Sequence, residues 1–352
     1  MLFRSFSYQV TNGLSAGIWR IRGTARGGSA ELEWSVILKI ALADYDLLLS
    51  RFPAQYRAER EHAYLWDREV LGYESGIFDR LPPGLVAPRA LHADRRTDSC
   101  WLWLEDLGDG GEEWDIARYS IAARHLGGFN GSFPEGSFEA PWLTRDWIGT
   151  WILRGFGSRG GVVVENDAVW EHPLVRSGFA PGTRERLRRY LADRERIVER
   201  LNARPQALGH LDAFRKNLFD RAGSTGERET AAIDWSYLGY GPIGAEVGHL
   251  VIGSVAFADY RKDIRVLADA CIPAYIEGLR ESGWRGSEAD VREGYALSAA
   301  RWVCMVGWLT AVLDPARQQQ METWMGQPLA ESIAQAGDRT TYLLDLIDDA
   351  MT

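Results

Sequence analysis

Only three cysteines occur in 352 residues, at Cys100, Cys271 and Cys304, and no two of them form a CxxC pair. So sparse and scattered a set excludes a disulfide framework and structural zinc, and points to a reducing, cytoplasmic compartment. Histidine is also scarce: His62, His92, His125, His172, His210 and His249 never fall at metal-ligand spacing. Positive charge is in deficit, with 40 Lys and Arg against 49 Asp and Glu for a net charge of -9. Binding a nucleic-acid backbone needs a basic surface that displaces counterions, so no nucleic-acid partner is expected. Long apolar runs are missing too. Neither the opening MLFRSFSYQV nor any later stretch reaches the roughly 18 to 20 apolar residues of a membrane span, so no membrane association is expected. Leu250 to Phe257 reads instead as a buried helix segment.

What remains is the composition of a globular protein, 46% hydrophobic and 25% charged, without repeats or low-complexity tracts. The length exceeds what one core supports, so two lobes with a cleft between them are expected. Fifteen tryptophans, clustered at Trp101 and Trp103 and around Trp142, Trp147 and Trp151, read as aromatic core packing.

The first hundred residues carry strand signals: a strand to about Val10, a glycine turn from Asn12 to Gly17, a strand Ile18 to Gly23, and after Gly27-Gly28 the β-branched run Trp34 to Ile40. An amphipathic stretch from Gln55 to Tyr73 follows with fair helical spacing. Leu81-Pro82-Pro83-Gly84 and Pro88 stop it, and Trp101 to Leu104 reads as a strand ending in the hinge segment Glu105-Asp106-Leu107-Gly108. Beyond Gly108 the pattern turns helical: Trp114 to Phe129, Trp142 to Phe156, Arg184 to Asn202, Gly244 to Ala258, Ile264 to Glu281 and Glu288 to Leu313. Only Leu208 to Trp235 interrupts, with two short strands at 217–219 and 231–233. The chain therefore reads as α+β, with residues 1–107 an N-lobe of antiparallel sheet plus helix and 108–352 a mainly helical C-lobe.

That interruption carries the chemistry. In His210-Leu211-Asp212-Ala213-Phe214-Arg215-Lys216-Asn217, Asp212 is placed to accept a hydroxyl proton. Asn217, five residues on, can offer an amide oxygen to Mg²⁺, and Asp234 in Ile233-Asp234-Trp235 a carboxylate to the same ion. His210 fits a brace for the loop better than a reacting group. A polar turn that caps helices reads the same as the first motif alone; the second motif is what favours chemistry. Upstream, Lys39 in Val36-Ile37-Leu38-Lys39 would meet the α and β phosphates of ATP, held by a helical carboxylate. Glu69 is the first choice for that carboxylate, with Glu59 and Glu61 as competitors. Gly13 and Gly17 could let backbone N–H groups approach phosphate, although a plain hairpin turn reads equally well. The adenine would lie along the backbone from Glu105 to Leu107.

In this order the motifs resemble the aminoglycoside phosphotransferase and choline kinase family, over about Gly13 to Leu313. The resemblance implies a bilobal protein-kinase-like fold, ATP and Mg²⁺ as co-substrates, and an acceptor bound by the C-lobe. Family loops often read His-Gly-Asp-Leu-His-x-x-Asn, whereas Leu211 stands at the glycine here and Phe214 two positions after the aspartate. A lysine occupies that second position in protein Ser/Thr kinases, so Arg215 or Lys216 would have to supply its charge. Trp235-Ser236 follows the metal aspartate, and no Ala-Pro-Glu segment comes after it. The resemblance also implies an acidic residue near Glu246 that helps order the loop or the acceptor, with a helix N-terminal charge as the simpler reading. The expected activity is phosphoryl transfer to a hydroxyl of a small molecule, aminoglycoside-like or another natural-product alcohol. The competing readings are a Ser or Thr of a short precursor peptide as acceptor, and a nucleotide-binding scaffold that transfers nothing.

Overall fold

The computed structural model describes residues 2–5, 15–27, 30–43, 65–110, 113–154, 157–223, 226–257 and 259–352. Glu59 and Glu61, Gly13, and the expected strand end at Val10 lie outside them. The N-terminal lobe holds β1 (Leu2–Ser5), β2 (Ser15–Gly27), β3 (Ala30–Leu42), the short helix α1 (Arg68–Glu74), β4 (Leu85–Val86), β5 (Ala90–Arg95) and β6 (Ser99–Glu105). Five of these strands form one antiparallel sheet in the order β1-β2-β3-β6-β5.

Strand alternation decides what each face of β3 meets, because successive side chains point to opposite faces. Leu38 and Ile40 join Trp19, Ile21, Trp101 and Trp103 on one side. Ile37 and Ala41 turn to the other, where Val70 of α1 packs with Cys100, Leu102 and Leu104. Lys39 shares the parity of Ile37 and Ala41, so it enters the face that α1 covers. β5 escaped the sequence reading because Ala-Leu-His-Ala-Asp-Arg has no β-branched residue. It is tolerated as an edge strand paired to β6 alone. β4 leaves this sheet and pairs in parallel with a strand of the C-lobe, tying residues 85–86 to the catalytic hairpin.

The rest of the described chain is mainly helical: α2 (Ile116–Ser132), α3 (Trp147–Arg154), α4 (Gly157–Val164), α5 (Asp167–Glu171), α6 (Pro173–Gly178) and α7 (Thr183–Asn202). The strands β7 (Gln206–Gly209) and β10 (Gly239–Pro242) pair with each other and enclose the hairpin of β8 (Leu218–Ala222) and β9 (Arg228–Ala232). The helix α8 begins at Ala245–Gly248 and runs through a π-helical turn, His249–Gly253, to Ser254–Ala256. After it come α9 (Ile264–Glu281), α10 (Glu288–Ser298), α11 (Ala300–Val303), a 3₁₀ segment (Cys304–Leu313), α12 (Pro315–Met325) and α13 (Leu329–Met351). α2 and α9 approach at backbone contact: a Cβ on Gly127 would sit 2.0 Å from the Tyr275 carbonyl oxygen, and one on Gly278 1.9 Å from that of Arg124. Only glycine fits at either position.

The sequence reading took residues 288 to 313 as one helix; the structure breaks it at Ala299 and winds its end as 3₁₀. Taken as one span, Glu288–Leu313 is long and apolar enough to cross a membrane, which corrects the expectation that no stretch reaches that measure. Its interrupting charges hid it from a count of consecutive apolar residues, and 72% of its most apolar window is buried inside the fold.

Candidate active site

Lys39 stands between two carboxylates, its Nζ 2.6 Å from Glu69 Oε2 and 2.6 Å from Asp234 Oδ1. The other Glu69 oxygen accepts from the backbone N–H of Trp235 at 3.3 Å, and Ser236 Oγ donates to Asp234 Oδ1 at 2.6 Å. α1 is held against this turn by the buried Arg68, which donates to the carbonyls of Trp142 at 2.8 Å and Ser236 at 2.7 Å. Burial works against the Lys39 ammonium, but Asp234 and Glu69 outweigh it and raise its pKa. Burial also works against the Asp234 carboxylate; Lys39 and Ser236 prevail and hold its pKa below the usual range. For Glu69 burial prevails over Lys39, and its pKa is raised. Glu69, the first choice of the three carboxylates the sequence left open, meets Lys39 in the structure; Glu59 and Glu61 lie outside the described residues. Asp234 itself adopts a left-handed backbone, φ 61°, which turns its side chain back into the interlobe cleft instead of along β9.

The loop between β7 and β8 is braced as expected. His210 accepts from the Asp212 N–H through Nδ1 at 3.3 Å, so its Nε2 carries the proton and donates to the Ile233 carbonyl at 2.8 Å. Burial lowers its pKa to about 4, and the ring is neutral at pH 7. Asn217 Nδ2 donates to the Asp212 carbonyl at 2.9 Å, and the Asn217 carbonyl accepts from the Ile233 N–H at 2.9 Å. That backbone bond sets Asn217 and Asp234 at the same end of the β8–β9 hairpin. Among the described residues no group of three or more His, Cys, Asp or Glu side chains is arranged to hold a metal. The hard oxygens of Asn217 and Asp234 suit Mg²⁺ if phosphate oxygens complete the shell.

Two residues that the sequence reading passed over or ranked low complete the loop. Arg301 of α11 donates through Nη2 to Asp212 Oδ1 at 2.8 Å and through Nη1 to the Leu211 carbonyl at 3.1 Å. Burial raises the Asp212 pKa, with Arg301 acting against that rise. No sequence spacing links positions 212 and 301, and only the packing of α11 beneath the loop brings them together. Glu246 of α8, ranked above as a helix-terminus charge, is buried and receives the Leu211 N–H on both oxygens at 3.2 Å. Burial pushes its pKa up to about 7 against those donors. It therefore holds the backbone of the loop between β7 and β8 at Leu211.

Of the two replacements proposed for the missing lysine, Arg215 is engaged elsewhere, whereas Lys216 lines the interlobe cleft together with Lys39 and Asp234. Arg215 donates to the carbonyls of Leu218 and Gly110, each at 2.8 Å, and lies over Trp114. Lys216 reaches Asp259 at 3.5 Å. Trp147 and Trp151 are indeed packed in the core, but together with Trp302 they also surround the Arg301 guanidinium, whose carbon lies 5.2, 5.4 and 4.8 Å from the three rings.

A cleft open to solvent runs from these groups to the hinge. Ile18, Ile37, Leu104, Phe219 and Ile233 give it apolar walls; Lys39, Glu69 and Asp234 close one end, and Glu105, Asp106, Leu107 and Gly108 line the other. Arg20 of β2 fastens that hinge, with Nε 2.7 Å from Asp106 and Nη2 2.6 Å from the Gly108 carbonyl. Gly17 sits at a bulge where β2 starts, beside Ile18.

No protein-family model matches the chain, and no curated protein matches it. Among solved structures it resembles an aminoglycoside phosphotransferase from Alicyclobacillus acidocaldarius, with a TM-score of 0.50 and 13% identity over 94% of this chain and 93% of that one. An ethanolamine kinase from Plasmodium vivax aligns with 99% of this chain and 83% of its own, at 13% identity and a TM-score of 0.47. The first of these likenesses shows the fold: a bilobal, kinase-like α+β architecture.

Proposed function

We propose that this protein is an ATP-dependent phosphotransferase whose acceptor is a hydroxyl group of a small molecule. The observation that carries the reading is the Glu69–Lys39–Asp234 bridge across the lobes at the end of an apolar cleft, with Asp212 and Asn217 on the adjoining loop. Such an arrangement has groups for each end of a phosphoryl transfer. The apolar walls and hinge backbone suit an adenine, and Lys39 would bind the α and β phosphates. Asn217 and Asp234 would hold Mg²⁺, which when bound neutralises charge on the phosphate oxygens.

Asp212 would orient the acceptor hydroxyl and take its proton. As the new O–P bond forms at the γ-phosphorus, the bond to the β-phosphate oxygen breaks and its electron pair leaves with ADP. His210, neutral and bonded through both nitrogens, is a brace in this scheme. The aminoglycoside phosphotransferase that shares the fold is consistent with a small-molecule acceptor.

The test is a transfer screen with γ-labelled ATP and Mg²⁺ over amino sugars, small alcohols and Ser/Thr peptides, with Asp212→Asn as the blank. Label on a small alcohol or amino sugar, absent with the blank, is the expected result. Transfer to peptides alone would replace the small-molecule reading with the peptide one. ATP binding without transfer to any acceptor would leave a scaffold.

A further inference from the structure

We propose that Arg301 is the positioning residue of the catalytic base: it fixes the Asp212 carboxylate by one oxygen and leaves the other to meet the acceptor. This rests on the reading of Asp212 as the proton acceptor. Arg301 Nη2 binds Oδ1 at 2.8 Å, while Oδ2 has the longer 3.4 Å contact with Asn217 Nδ2. The two oxygens are therefore unequal, and the less committed Oδ2 is the one to take a proton.

The guanidinium is itself held through both terminal nitrogens, while its buried Nε has no hydrogen-bond partner among the described residues. Nη1 donates to the Leu211 carbonyl, one residue before Asp212, and lies 2.9 Å from His249 Nδ1. Trp147, Trp151 and Trp302 enclose it, and the residue is 5% exposed. A planar, permanently charged group held between aromatic faces keeps one orientation, which a lysine ammonium would not. Arg301 thus holds both the side chain of Asp212 and the backbone that carries it. The cations nearer in sequence do not: Arg215 is bonded to Leu218 and Gly110, and Lys216 lies by Asp259. Among the described residues Arg301 is the one that forms an ion pair with Asp212. The remaining charged or titratable neighbours are Asp234, whose charge acts on Asp212, His210 through the Asp212 N–H, and Glu246 through the Leu211 N–H.

A residue that positions the base should act on turnover and leave nucleotide binding alone, since Arg301 contacts Asp212, Leu211 and His249 and does not line the cleft that Lys39 and the hinge bound. MgATP hydrolysis, in which water takes the place of the acceptor hydroxyl, is measured as phosphate release for Arg301→Ala and Arg301→Lys beside Asp212→Asn, with ATP affinity from calorimetry and tryptophan emission recorded in parallel. The expected loss in kcat for Arg301→Ala is about 100-fold, the scale of a small misplacement of a reacting group. KM and Kd for ATP should stay within about twofold. Millimolar guanidinium, entering the space between the tryptophans, should restore kcat in Arg301→Ala and shift tryptophan emission with the same half-point. Unchanged kcat, or a fall that neither guanidinium nor Arg301→Lys reverses even in part, overturns the proposal. Should Arg301→Ala fail to fold, Arg301→Lys decides by its kcat against KM. If Asp212→Asn releases phosphate as fast as the parent, the functional reading fails instead.

Discussion

Lys39 and Asp234, 195 residues apart in the chain, meet at 2.6 Å, and the same ammonium is 2.6 Å from Glu69. One buried cation therefore bridges the buried Glu69 carboxylate and the partly buried Asp234 carboxylate and ties β3, α1 and the turn after β9 into one unit. Removing one partner of a buried ion pair strands the other, at a cost of about 3 to 5 kcal/mol. Lys39→Met should lose about that much stability at pH 7.5 and abolish ATP turnover.

The pH dependence has a definite sign. Asp234 has its pKa lowered by Lys39, so its contribution in the parent is present above the unfolded carboxylate range and lost as pH falls through the folded value. In Lys39→Met that contribution is gone, and protonation of Glu69 and Asp234 relieves their repulsion. The gap between parent and variant should shrink on acidification. Urea midpoints at pH 7.5 and pH 4.5 check this; a gap independent of pH would mean the bridge is not stabilising.

Glu246 gives the opposite slope. Its pKa is raised to about 7, because burial beats the backbone donors at Leu211 and His210. A carboxyl that is harder to ionise when folded contributes stability that is complete below its unfolded value, near 4.5, and lost as pH rises through about 7. Glu246→Gln cannot ionise and keeps an acceptor oxygen for the Leu211 N–H. Its stability should therefore stay flatter than the parent's between pH 5 and pH 8, with the variant gaining relative to the parent towards pH 8. Thermal midpoints across that range measure it, and parallel curves for the two proteins would count against a buried, titrating Glu246.

How much of this was legible in the sequence depends on how local each signal was. Lys39 could be read because β3 has a β-branched run and strand parity sets its direction. The loop from His210 to Asn217 and the turn at Asp234 could be read because their chemistry is compressed into a few positions. Helix α9 was read with its limits intact, Ile264–Glu281, since an acidic N-cap and an apolar stripe bound it. Glu69 was named only as first among three, because helix phase over an irregular amphipathic stretch does not select one carboxylate. Arg301 left no trace, for Asp212, Leu211, His249, Trp147 and Trp151, which surround it, are all distant in sequence. The β7–β10 pair was missed for a related reason: two four-residue strands, four of whose eight residues are Gly or Pro, carry no alternation of their own and exist because they bracket the hairpin.

Leu211 shows the cost of a departure from the usual loop sequence. It adopts φ 59°, where L-residues other than Asn and Asp seldom sit, and a leucine there costs roughly 1 to 2 kcal/mol. What offsets the strain is packing: the side chain is 2% exposed and covers two backbone glycines, so that a Cβ on Gly241 would lie 2.7 Å from Leu211 Cδ2 and one on Gly209 3.0 Å. Truncating a buried leucine costs about 2 to 5 kcal/mol. Leu211→Ala loses that packing and keeps the strain, whereas Leu211→Gly loses the packing and releases the strain. In ordinary backbone glycine is the worse choice by roughly 0.5 to 1 kcal/mol, so the expected order here is inverted, with Leu211→Gly the more stable of the two variants by about 1 kcal/mol. Chemical denaturation of both resolves a difference of that size. Leu211→Gly should also keep the larger share of ATP turnover, since its backbone can hold Asp212 in place without strain. If Leu211→Ala proved the more stable, the left-handed conformation at this position would be wrong, and with it the direction in which the loop presents Asp212.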